Sequence, residues 1–240
     1  LTRLNTARSI FRPLSTMQQR PFAPDVARCN KAISASGRGR QWQSALALLA
    51  VMPQRRLSPD VISYNAAVSA CEKAGQWQRA LALFAAMPQR RLAPDIISYN
   101  AAVSACEKAG QWQRALALFA AMPQRRLAPN VISYSAAVSA CEKAGQWQRA
   151  LALFAAMPRS RLEPNVISYS AAISACEKAS QWQGALALFA AMPTGRLEPD
   201  VIIYNAAVSA CEKAGQWQRA LALFAAMPRS RLEPNVISYS

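Results

Sequence analysis

A segment of 35 residues recurs six times in this chain without an insertion or a deletion between copies. It is plainest at 61–95, which reads VISYNAAVSACEKAGQWQRALALFAAMPQRRLAPD. Self-similarity at such a period is typical of arrays in which each copy is one supersecondary unit. The chain is therefore predicted to be a repeat array and not one large globular domain. The predicted divisions are a leader or degenerate half-repeat at 1–25, repeats at 26–60, 61–95, 96–130, 131–165, 166–200 and 201–235, and the start of a truncated seventh at 236–240.

Each copy carries two apolar stripes with the three- and four-residue spacing of amphipathic helices. In the second copy these are Tyr64, Ala67, Val68, Cys71 and Ala74, then Trp77, Ala80, Leu81, Phe84 and Met87. Ser63 is the predicted N-cap of the first helix, Gly75 ends it, and Pro88 ends the second. One hairpin of this size cannot bury its stripes alone, so neighbouring hairpins must stack. The predicted fold is all-α, a right-handed α-solenoid superhelix of tandem 35-residue helix-turn-helix repeats.

Composition excludes several classes of function. The 240 residues include no histidine, so Ser-His-Asp and Cys-His catalytic machinery and imidazole metal sites cannot be built. The longest apolar runs, such as Ala80–Met87, end at a proline after eight residues, whereas a membrane span needs about 20. The formal net charge is +16. We therefore expect a soluble, packed, basic monomer that is not an enzyme, has no catalytic residue, metal or cofactor, and does not enter a membrane.

Two residue types recur once per repeat and need a structural explanation before a functional one. Five of the six cysteines lie one repeat apart, and the packing distance between helices, about 8–10 Å, is too long for a disulfide. We interpret them as small buried apolar residues in a reducing compartment, in preference to a redox or metal role. The tryptophans begin the second helices, and packing is preferred there to ligand stacking. They are Trp42, Trp77, Trp112, Trp147, Trp182 and Trp217.

The repeat resembles one known family. It opens its first helix with V-I-S-Y-N, turns at E-K-A-G, continues with A-L-A-L-F-A-A-M and closes with L-x-P-D/N, always in 35 residues. This pattern is similar to that of the pentatricopeptide repeat family, in its pure P-type arrays, over residues 26–240. Tetratricopeptide repeats have a period of about 34 residues and a different Trp, Gly and Tyr layout, although both belong to one helical superfamily.

The resemblance implies which columns of the repeat contact a ligand. In that family the fifth and last residues of a repeat read one RNA base. Here the pairs are Asn30/Asp60, Asn65/Asp95, Asn100/Asn130, Ser135/Asn165, Ser170/Asp200 and Asn205/Asn235. The second residue holds the base between aliphatic side chains, and here it is Ile62, Ile97, Ile132, Ile167 and Ile202, with Ala27 as the departure in the first repeat. Without the resemblance, variation in these columns is equally compatible with neutral drift at exposed positions.

The family's specificity rules translate these pairs into a target. Asn with Asp favours U, Asn with Asn favours C over U, Ser with Asn favours A, and Ser with Asp favours G. Reading the repeats from the N-terminus against RNA from its 5′ end, the resemblance implies the single-stranded sequence 5′-UUCAGC-3′, with U tolerated at the third and sixth places.

A basic residue stands at the thirteenth column of every repeat, at the edge of the face that carries the fifth column. We interpret it as a phosphate-contacting ladder, in preference to a solvated helix face in which Glu72 and its copies neutralise nearby lysines. The ladder is Arg38, Lys73, Lys108, Lys143, Lys178 and Lys213. Arginines such as Arg56 and Arg91 in the connectors are given little weight, because they could equally cap carbonyls of the second helix.

The ends of the chain suggest a location. Residues 1–24 contain four arginines, several Ser and Thr and no acid, which fits an organellar targeting segment. With the resemblance, this predicts an RNA-binding protein of organelles, the chloroplast in preference to the mitochondrion, acting in RNA processing, stabilisation, splicing or translation. Two alternatives stay open. One is a peptide-binding scaffold of tetratricopeptide type, and the other is the targeting arm of an RNA-processing enzyme whose catalytic domain lies outside these residues.

Overall fold

The computed structural model describes residues 25–194 and 197–226, and within them the secondary structure is entirely helical. Successive helices begin alternately at the first and the seventeenth residue of each predicted repeat. They are α1 Val26–Arg38, α2 Trp42–Gln54, α3 Val61–Lys73, α4 Trp77–Gln89, α5 Ile96–Lys108, α6 Trp112–Gln124, α7 Val131–Lys143, α8 Trp147–Arg159, α9 Val166–Lys178, α10 Trp182–Thr194, α11 Val201–Lys213 and α12 Trp217–Ala226. The prediction of tandem helical hairpins is confirmed. The proposed leader and seventh repeat fall on residues that the structure does not describe.

The first helix of a repeat begins earlier than Ser63 suggested. The N-cap of α3 is Asp60, whose carboxylate Oδ1 accepts from the Ser63 amide at 2.8 Å, and the Ser63 hydroxyl lies 3.1 Å from the Asp60 amide. Ser63 is therefore the third helical residue of a capping box, and its prediction as the N-cap was wrong. An Asx side chain followed three residues later by serine is the signal for this arrangement. The last residue of each repeat thus starts the next helix.

The two helices of a hairpin end with the same pattern of backbone hydrogen bonds. At the end of α3, the Gly75 amide donates to the Glu72 carbonyl and the Gln76 amide to the Cys71 carbonyl. At the end of α4, Arg91 donates to the Pro88 carbonyl and Leu92 to the Met87 carbonyl. Both are Schellman motifs, in which the residue after the cap takes the left-handed conformation. Pro88 lies inside the last turn of α4 and so ends the helix one residue later than predicted.

The chain divides into two compact units, residues 1–105 and 106–240, and the division falls within α5. In the first unit, α1 packs on α3, and Ile33, Met52, Ala67 and Met87 are almost fully buried in the shared core. In the second unit, α9 packs on α11 in the same way, around a core cluster that is fully buried at Ile173, Cys176, Met192 and Ile203.

From the second repeat onward, aromatic rings join a second helix to the first helix of the following repeat. In the first unit, Phe84 meets Tyr99 edge to face with ring centroids 4.9 Å apart. In the second unit the same contact recurs at Phe154 and Tyr169, also at 4.9 Å. Packing of this kind explains why the hairpins stack at a constant period, because the second to fifth repeats each offer the same ring to the next repeat, and the first offers Leu49.

The cysteines and tryptophans behave as structural residues. All six cysteines are free thiols, and the five at the repeated position are fully buried, as predicted. Burial raises the pKa of these thiols, for example at Cys106 and Cys176. Most of the tryptophans are partly buried, although Trp217 is 63% exposed. Arginine guanidinium groups of the next repeat stack on them, with Arg79 4.0 Å from the ring of Trp42 and Arg219 4.4 Å from that of Trp182.

One copy of this stack is missing, and restoring it should stabilise the array. The partner position of Trp147 is occupied by Gly184 instead of arginine. A Cβ at Gly184 would lie 3.2 Å from the Cys176 sulfur, but Arg149 occupies the equivalent place beside Cys141. We expect Gly184→Arg to raise the free energy of unfolding by about 1 kcal/mol through the cation–π contact and better helix propensity.

Urea denaturation measures this gain. Gly184→Ala is the matched control, since it supplies the Cβ without the guanidinium group. Equal stability of the Arg and Ala variants would show that the Trp147 ring gains nothing from the stack.

Candidate nucleic-acid interface

An exposed isoleucine stands at the second residue of the first helix in five consecutive repeats. A single exposed apolar side chain is ordinary on a protein surface, but one at the same place in each repeat is a regular apolar ladder. In the first repeat the position is held by the exposed Ala27. The ladder consists of Ile62, Ile97, Ile132, Ile167 and Ile202, which are 62–65% exposed.

The fifth and last residues of a repeat, 30 positions apart in sequence, are joined directly by hydrogen bonds. The Asn30 amide Nδ2 donates to Asp60 Oδ1 at 3.1 Å, and Asn65 Nδ2 donates to Asp95 Oδ1 at 3.1 Å. This pairing follows from the cap, because the last residue begins the neighbouring first helix and so lies beside the fifth residue. Asn65 is three residues along the helix from the exposed Ile62, on the same face, whereas Asn30 has the exposed Ala27 at that place.

A serine completes the pair and fixes its orientation. The Ser63 hydroxyl donates to Asn30 Oδ1 at 2.6 Å, and the Ser98 hydroxyl donates to Asn65 Oδ1 at 2.6 Å. Both serines and both asparagines are buried. Since the oxygen of each asparagine accepts from serine, its amide nitrogen must face the aspartate. The polar pair is therefore held in one arrangement before any ligand arrives.

The cap leaves one atom of the last residue available. In Asp60 every hydrogen bond within the described residues falls on Oδ1, so Oδ2 remains an unused acceptor. In Asn165, Oδ1 accepts from the Ser168 amide at 2.9 Å and the Ser135 hydroxyl at 3.1 Å, which leaves Nδ2 as an unused donor. An Asp-to-Asn change in this column thus keeps the helix cap and exchanges the exposed acceptor for a donor.

Asp60 and Asp95 in this column are ionised at neutral pH. Burial raises the pKa of Asp60, but hydrogen bonds from the Ser63 amide and hydroxyl and the Asn30 amide outweigh it, and the pKa falls below its usual value. Asp95 shows the same balance with Ser98 and Asn65. Because the pKa of these carboxyl groups is lower in the folded than in the unfolded state, their ionisation stabilises the folded state. This stabilisation is complete at pH values above the unfolded-state pKa and is lost as the pH falls through the folded-state pKa.

The remaining pairs differ among repeats. Asn130 caps α7 through a 3.0 Å bond from the Ser133 amide. Asp200 caps α11 by accepting from the Ile203 amide at 2.9 Å, and no hydrogen bond joins it to Ser170, although the structure describes both residues. Asn205 is half-buried, and its predicted partner Asn235 lies outside the described residues. The base-reading assignment of all twelve positions stays a prediction.

The lysine ladder is tied to the preceding repeats. Lys178 contacts Glu142 at 2.6 Å, Lys213 contacts Glu177 at 2.6 Å, and Lys143 pairs with Glu107. The lysine side chains remain 45–46% exposed. Glutamates therefore neutralise lysines, but each does so across to the next repeat and not to its sequence neighbour. Residues adjacent along a helix do not face each other, whereas stacked repeats bring these two columns together.

Serine hydroxyls strengthen the same inter-repeat tie. Ser104 donates to Glu72 at 3.0 Å and Ser139 to Glu107 at 3.0 Å. Glu72 and Glu107 are buried, so their charges are compensated by these contacts and not by water. The first repeat has Gly37 at this column, so Lys73 has no glutamate at the equivalent place.

The described residues include a cavity but neither a membrane-spanning helix nor a metal-binding group. A cavity of about 380 Å³ lies on the last described hairpin, lined by Val208, Glu212, Trp217, Ala220, Leu221 and Phe224. Within 25–194 and 197–226, every helix falls short of the length and apolar character needed to cross a lipid bilayer. The same residues contain no group of three or more Cys, Asp or Glu side chains placed to hold a metal ion.

Comparison with solved structures returns helical repeat proteins. The chain is similar to the pentatricopeptide repeat protein PPR10 from maize, at 27% identity and a TM-score of 0.65 over 98% of this chain and 34% of that one. It is also similar to PPR10 in complex with an 18-nt psaJ RNA element, at 22% identity and a TM-score of 0.59, over 99% of this chain and 38% of that one. This chain spans about a third of the length of the maize protein.

A third structure is a shorter repeat domain. The PPR domain of Arabidopsis thaliana protein-only RNase P 1, in complex with tRNA, matches at 14% identity and a TM-score of 0.64, over 79% of this chain and 96% of that one. Such a likeness shows the fold alone, and it confirms the all-α solenoid class. No curated protein matches the chain.

Two family models match the sequence. A model described as "Pentatricopeptide repeat domain" matches residues 12–74. A second, described as "Pentacotripeptide-repeat region of PRORP", matches residues 53–240, which is most of the chain. Together with stacked 35-residue hairpins, in three of which the fifth and last residues are hydrogen-bonded, these matches show that the chain belongs to the pentatricopeptide repeat family.

Proposed function

We propose that this chain binds single-stranded RNA in a sequence-specific manner, reading about one base per repeat, as the basis of a role in organellar RNA processing, stabilisation, splicing or translation. The observation that carries the proposal is the preorganised polar pair beside an exposed isoleucine, seen most completely at Asn65/Asp95 with Ile62. Unstacked bases need an apolar contact for their faces and hydrogen-bonding groups for their Watson–Crick edges. RNA-bound members of the family support the same reading.

The unused atom of the last residue supplies one half of the selectivity. The free Oδ2 of Asp60 or Asp95 is an acceptor, which suits bases that present a ring N–H, namely U and G. The free Nδ2 of Asn165 is a donor, which suits bases that present a bare ring nitrogen, namely C and A. The hydrogen-bonding chemistry therefore agrees with the specificity rules that the family resemblance implies.

The fifth residue supplies the other half through its size. Asn30 and Asn65 fill the space beside the last residue with an amide, which leaves room for a pyrimidine. Ser135 is smaller, and its hydroxyl turns back to the Val131 carbonyl at 2.8 Å as well as to Asn165 at 3.1 Å. A larger purine then fits in that repeat. The proposed target remains 5′-UUCAGC-3′, with U tolerated at the third and sixth places.

Binding of fluorescently labelled RNA tests this proposal. The full chain is titrated with RNA containing UUCAGC, with a scrambled sequence of the same composition, and with the corresponding DNA, across a range of salt. If about six phosphates are contacted and each contributes about −0.7 to the log–log slope of affinity against salt concentration, that slope is near −4. Equal affinity for the scrambled RNA would remove the base assignment, and absence of RNA binding would remove the function.

Releasing lysines from their glutamate partners should strengthen RNA binding. We expect the double substitution Glu142→Gln and Glu177→Gln to raise RNA affinity several-fold at low salt and to steepen the log–log salt slope by up to about two. The reason is that the charges of Lys178 and Lys213 are then no longer neutralised by a glutamate. Glutamine keeps the acceptor that Ser209 uses on Glu177 at 3.1 Å. The double substitution Glu163→Gln and Glu198→Gln in the connectors is the control for the loss of two negative charges alone, and an equal gain from it would contradict release of the ladder.

A second candidate function is the targeting arm of an RNA-processing enzyme. The specific observation in its favour is the match of residues 53–240 to the repeat region of protein-only RNase P. Such an arm would bind folded tRNA-like RNA more tightly than the linear target. A competition experiment between tRNA and UUCAGC RNA separates the two roles, and stronger binding of the linear RNA would favour sequence-specific occupancy.

The proposed organellar location depends on the family and on the composition of residues 1–24. Import of the full chain, fused to a fluorescent protein, into isolated chloroplasts and mitochondria would show which organelle receives it.

A further inference from the structure

The two helix ends of a hairpin use the same backbone motif, in most repeats with different residues. After the first helices of most repeats, the left-handed position is glycine, as at Gly75 and Gly145 with φ of 72° and 68°. The exceptions among first-helix ends are Arg40 and Ser180, both with φ of 54°. After the second helices the same position is arginine. These residues are Arg56, Arg91, Arg126 and Arg161, with φ between 57° and 60°.

Arginine is an unfavourable choice at such a position. A residue with a Cβ is strained in the left-handed region, and glycine relieves the strain without any cost to the motif, as the chain itself shows at Gly75. The first repeat differs from the second at most columns of the first helix, yet it keeps Arg55 and Arg56. A strained side chain retained where glycine would serve points to a role for the side chain itself.

The guanidinium groups are not used for folding. The backbone amide of Arg56 donates to Pro53, but within the described residues the side chains at these connectors make no hydrogen bond or ion pair. They therefore do not cap the helix carbonyls. All are exposed, and each of the first three connectors presents two adjacent arginines. The exposed connector arginines are Arg55, Arg56, Arg90, Arg91, Arg125, Arg126, Arg159 and Arg161.

The connector arginines stand apart from the lysine ladder. Arg56 lies five residues before the start of α3, whereas Lys73 ends that helix. The helix has 13 residues, so its ends are about 18 Å apart along the axis. A single strand whose phosphates follow the lysines cannot place the same phosphates on the connectors. The arginines thus form a second, separate row of cations in each unit.

The chemistry of this row fits phosphates without bases. Beside the arginines, residues 54–59 and their copies at the next three connectors are glutamine, leucine, serine, alanine, proline and glutamate, with no aromatic side chain on which a base could stack. At the fourth connector the Tyr134 hydroxyl lies 3.0 Å from that of Ser160, and the Tyr134 ring itself packs edge to face with Phe119, so the connector meets a hydroxyl and not a stacking face. Single-stranded sites need such stacking surfaces, whereas double-stranded RNA is bound through its backbone and shape. We propose that the connector arginines bind the phosphate backbone of double-stranded RNA next to the single-stranded target, an inference that rests on the proposed RNA-binding function.

The test adds a duplex to a chain already saturated with the linear target. A labelled RNA duplex of about 16 base pairs, the length that a double-stranded-RNA domain spans, is titrated into the full chain with excess unlabelled UUCAGC RNA. We expect the duplex to bind despite the excess. The triple variant Arg56→Gly, Arg91→Gly and Arg126→Gly should lose about tenfold or more in duplex affinity, and its log–log salt slope should become shallower by about three.

Two controls separate charge from structure. The variant with lysine at the same three positions keeps the charge and should retain most of the duplex binding. The glycine variant should bind UUCAGC RNA as the unmodified chain does and should denature at the same or a higher urea concentration, because glycine relieves the left-handed strain.

Several results would overturn the proposal. They are displacement of the duplex by the linear RNA, unchanged duplex affinity in the glycine variant, or a loss of stability in that variant, which would make the arginines structural. If the chain binds the linear target but never the duplex, this inference fails and the proposed function stands. If it binds neither RNA, the proposed function itself fails.

Discussion

Replacing three isoleucines of the exposed ladder with alanine, at Ile97, Ile132 and Ile167, should weaken binding of UUCAGC RNA about 100-fold. Each side chain is 62–64% exposed, so its apolar surface is available to a base face. Removing the three outer carbons of an isoleucine that covers a base face costs about 1 kcal/mol, and the loss at three positions gives about two orders of magnitude. Filter binding or fluorescence anisotropy at fixed salt measures the change.

The same variant should keep its stability and its salt dependence. Little apolar area is removed from a buried site, and alanine has the higher helix propensity. The phosphate contacts are untouched, so the slope of affinity against salt stays the same. The matched control replaces three exposed glutamines of the second helices, Gln78, Gln113 and Gln148, with alanine. Affinity that fell equally in both variants, or in neither, would exclude the isoleucines as base contacts.

The helical hairpins could be predicted from sequence because their signals are local. Apolar residues at three- and four-residue steps, Gly75 and Pro88 are enough to place two helices in each repeat. The start of the first helix could not be placed as well, because both Asp60 and Ser63 are good N-cap residues. Only the geometry shows that aspartate takes the cap and that serine accepts the reciprocal bond.

The side-chain contacts between repeats could not be predicted from the sequence. Glu142 and Lys178 are 36 residues apart, and Arg79 and Trp42 are 37 apart. These separations exceed the 35-residue period by one and two residues. The excess depends on how neighbouring hairpins are positioned against each other, and the local sequence pattern does not determine that position. The base-reading columns were predictable from the family resemblance. Their direct hydrogen bond was not, because it depends on the last residue serving as the cap of the neighbouring helix.

The double use of the last residue explains why this column can vary while the fold does not. A cap needs one oxygen, and both Asp and Asn provide it. The second atom of the side chain is then free to change from oxygen to nitrogen. Selectivity for a ligand and stability of the helix are carried by different atoms of one residue, so the first can change without loss of the second.

Asn165→Asp should therefore change the base preference of the fourth repeat from A to G without loss of stability. In the present chain the Asn165 oxygen is occupied by the Ser168 amide and the Ser135 hydroxyl, and its amide donor is left for adenine N1. Aspartate keeps both bonds and presents an acceptor, which suits the N1–H of guanine. A mismatched base costs about 1–3 kcal/mol, so a preference of about tenfold or more for A should become a similar preference for G.

Titration of the variant with UUCAGC and UUCGGC RNA measures this reversal. Asn165→Ala is the informative comparison, because it removes the cap as well as the reading atom. That variant should lose about 0.5–2 kcal/mol of stability and prefer neither purine strongly. The aspartate variant should be at least as stable as the original chain, since a negative charge at a helix N-terminus is favourable. An unchanged preference for A in a stable Asn165→Asp variant would mean that the last column caps helices and does not read bases.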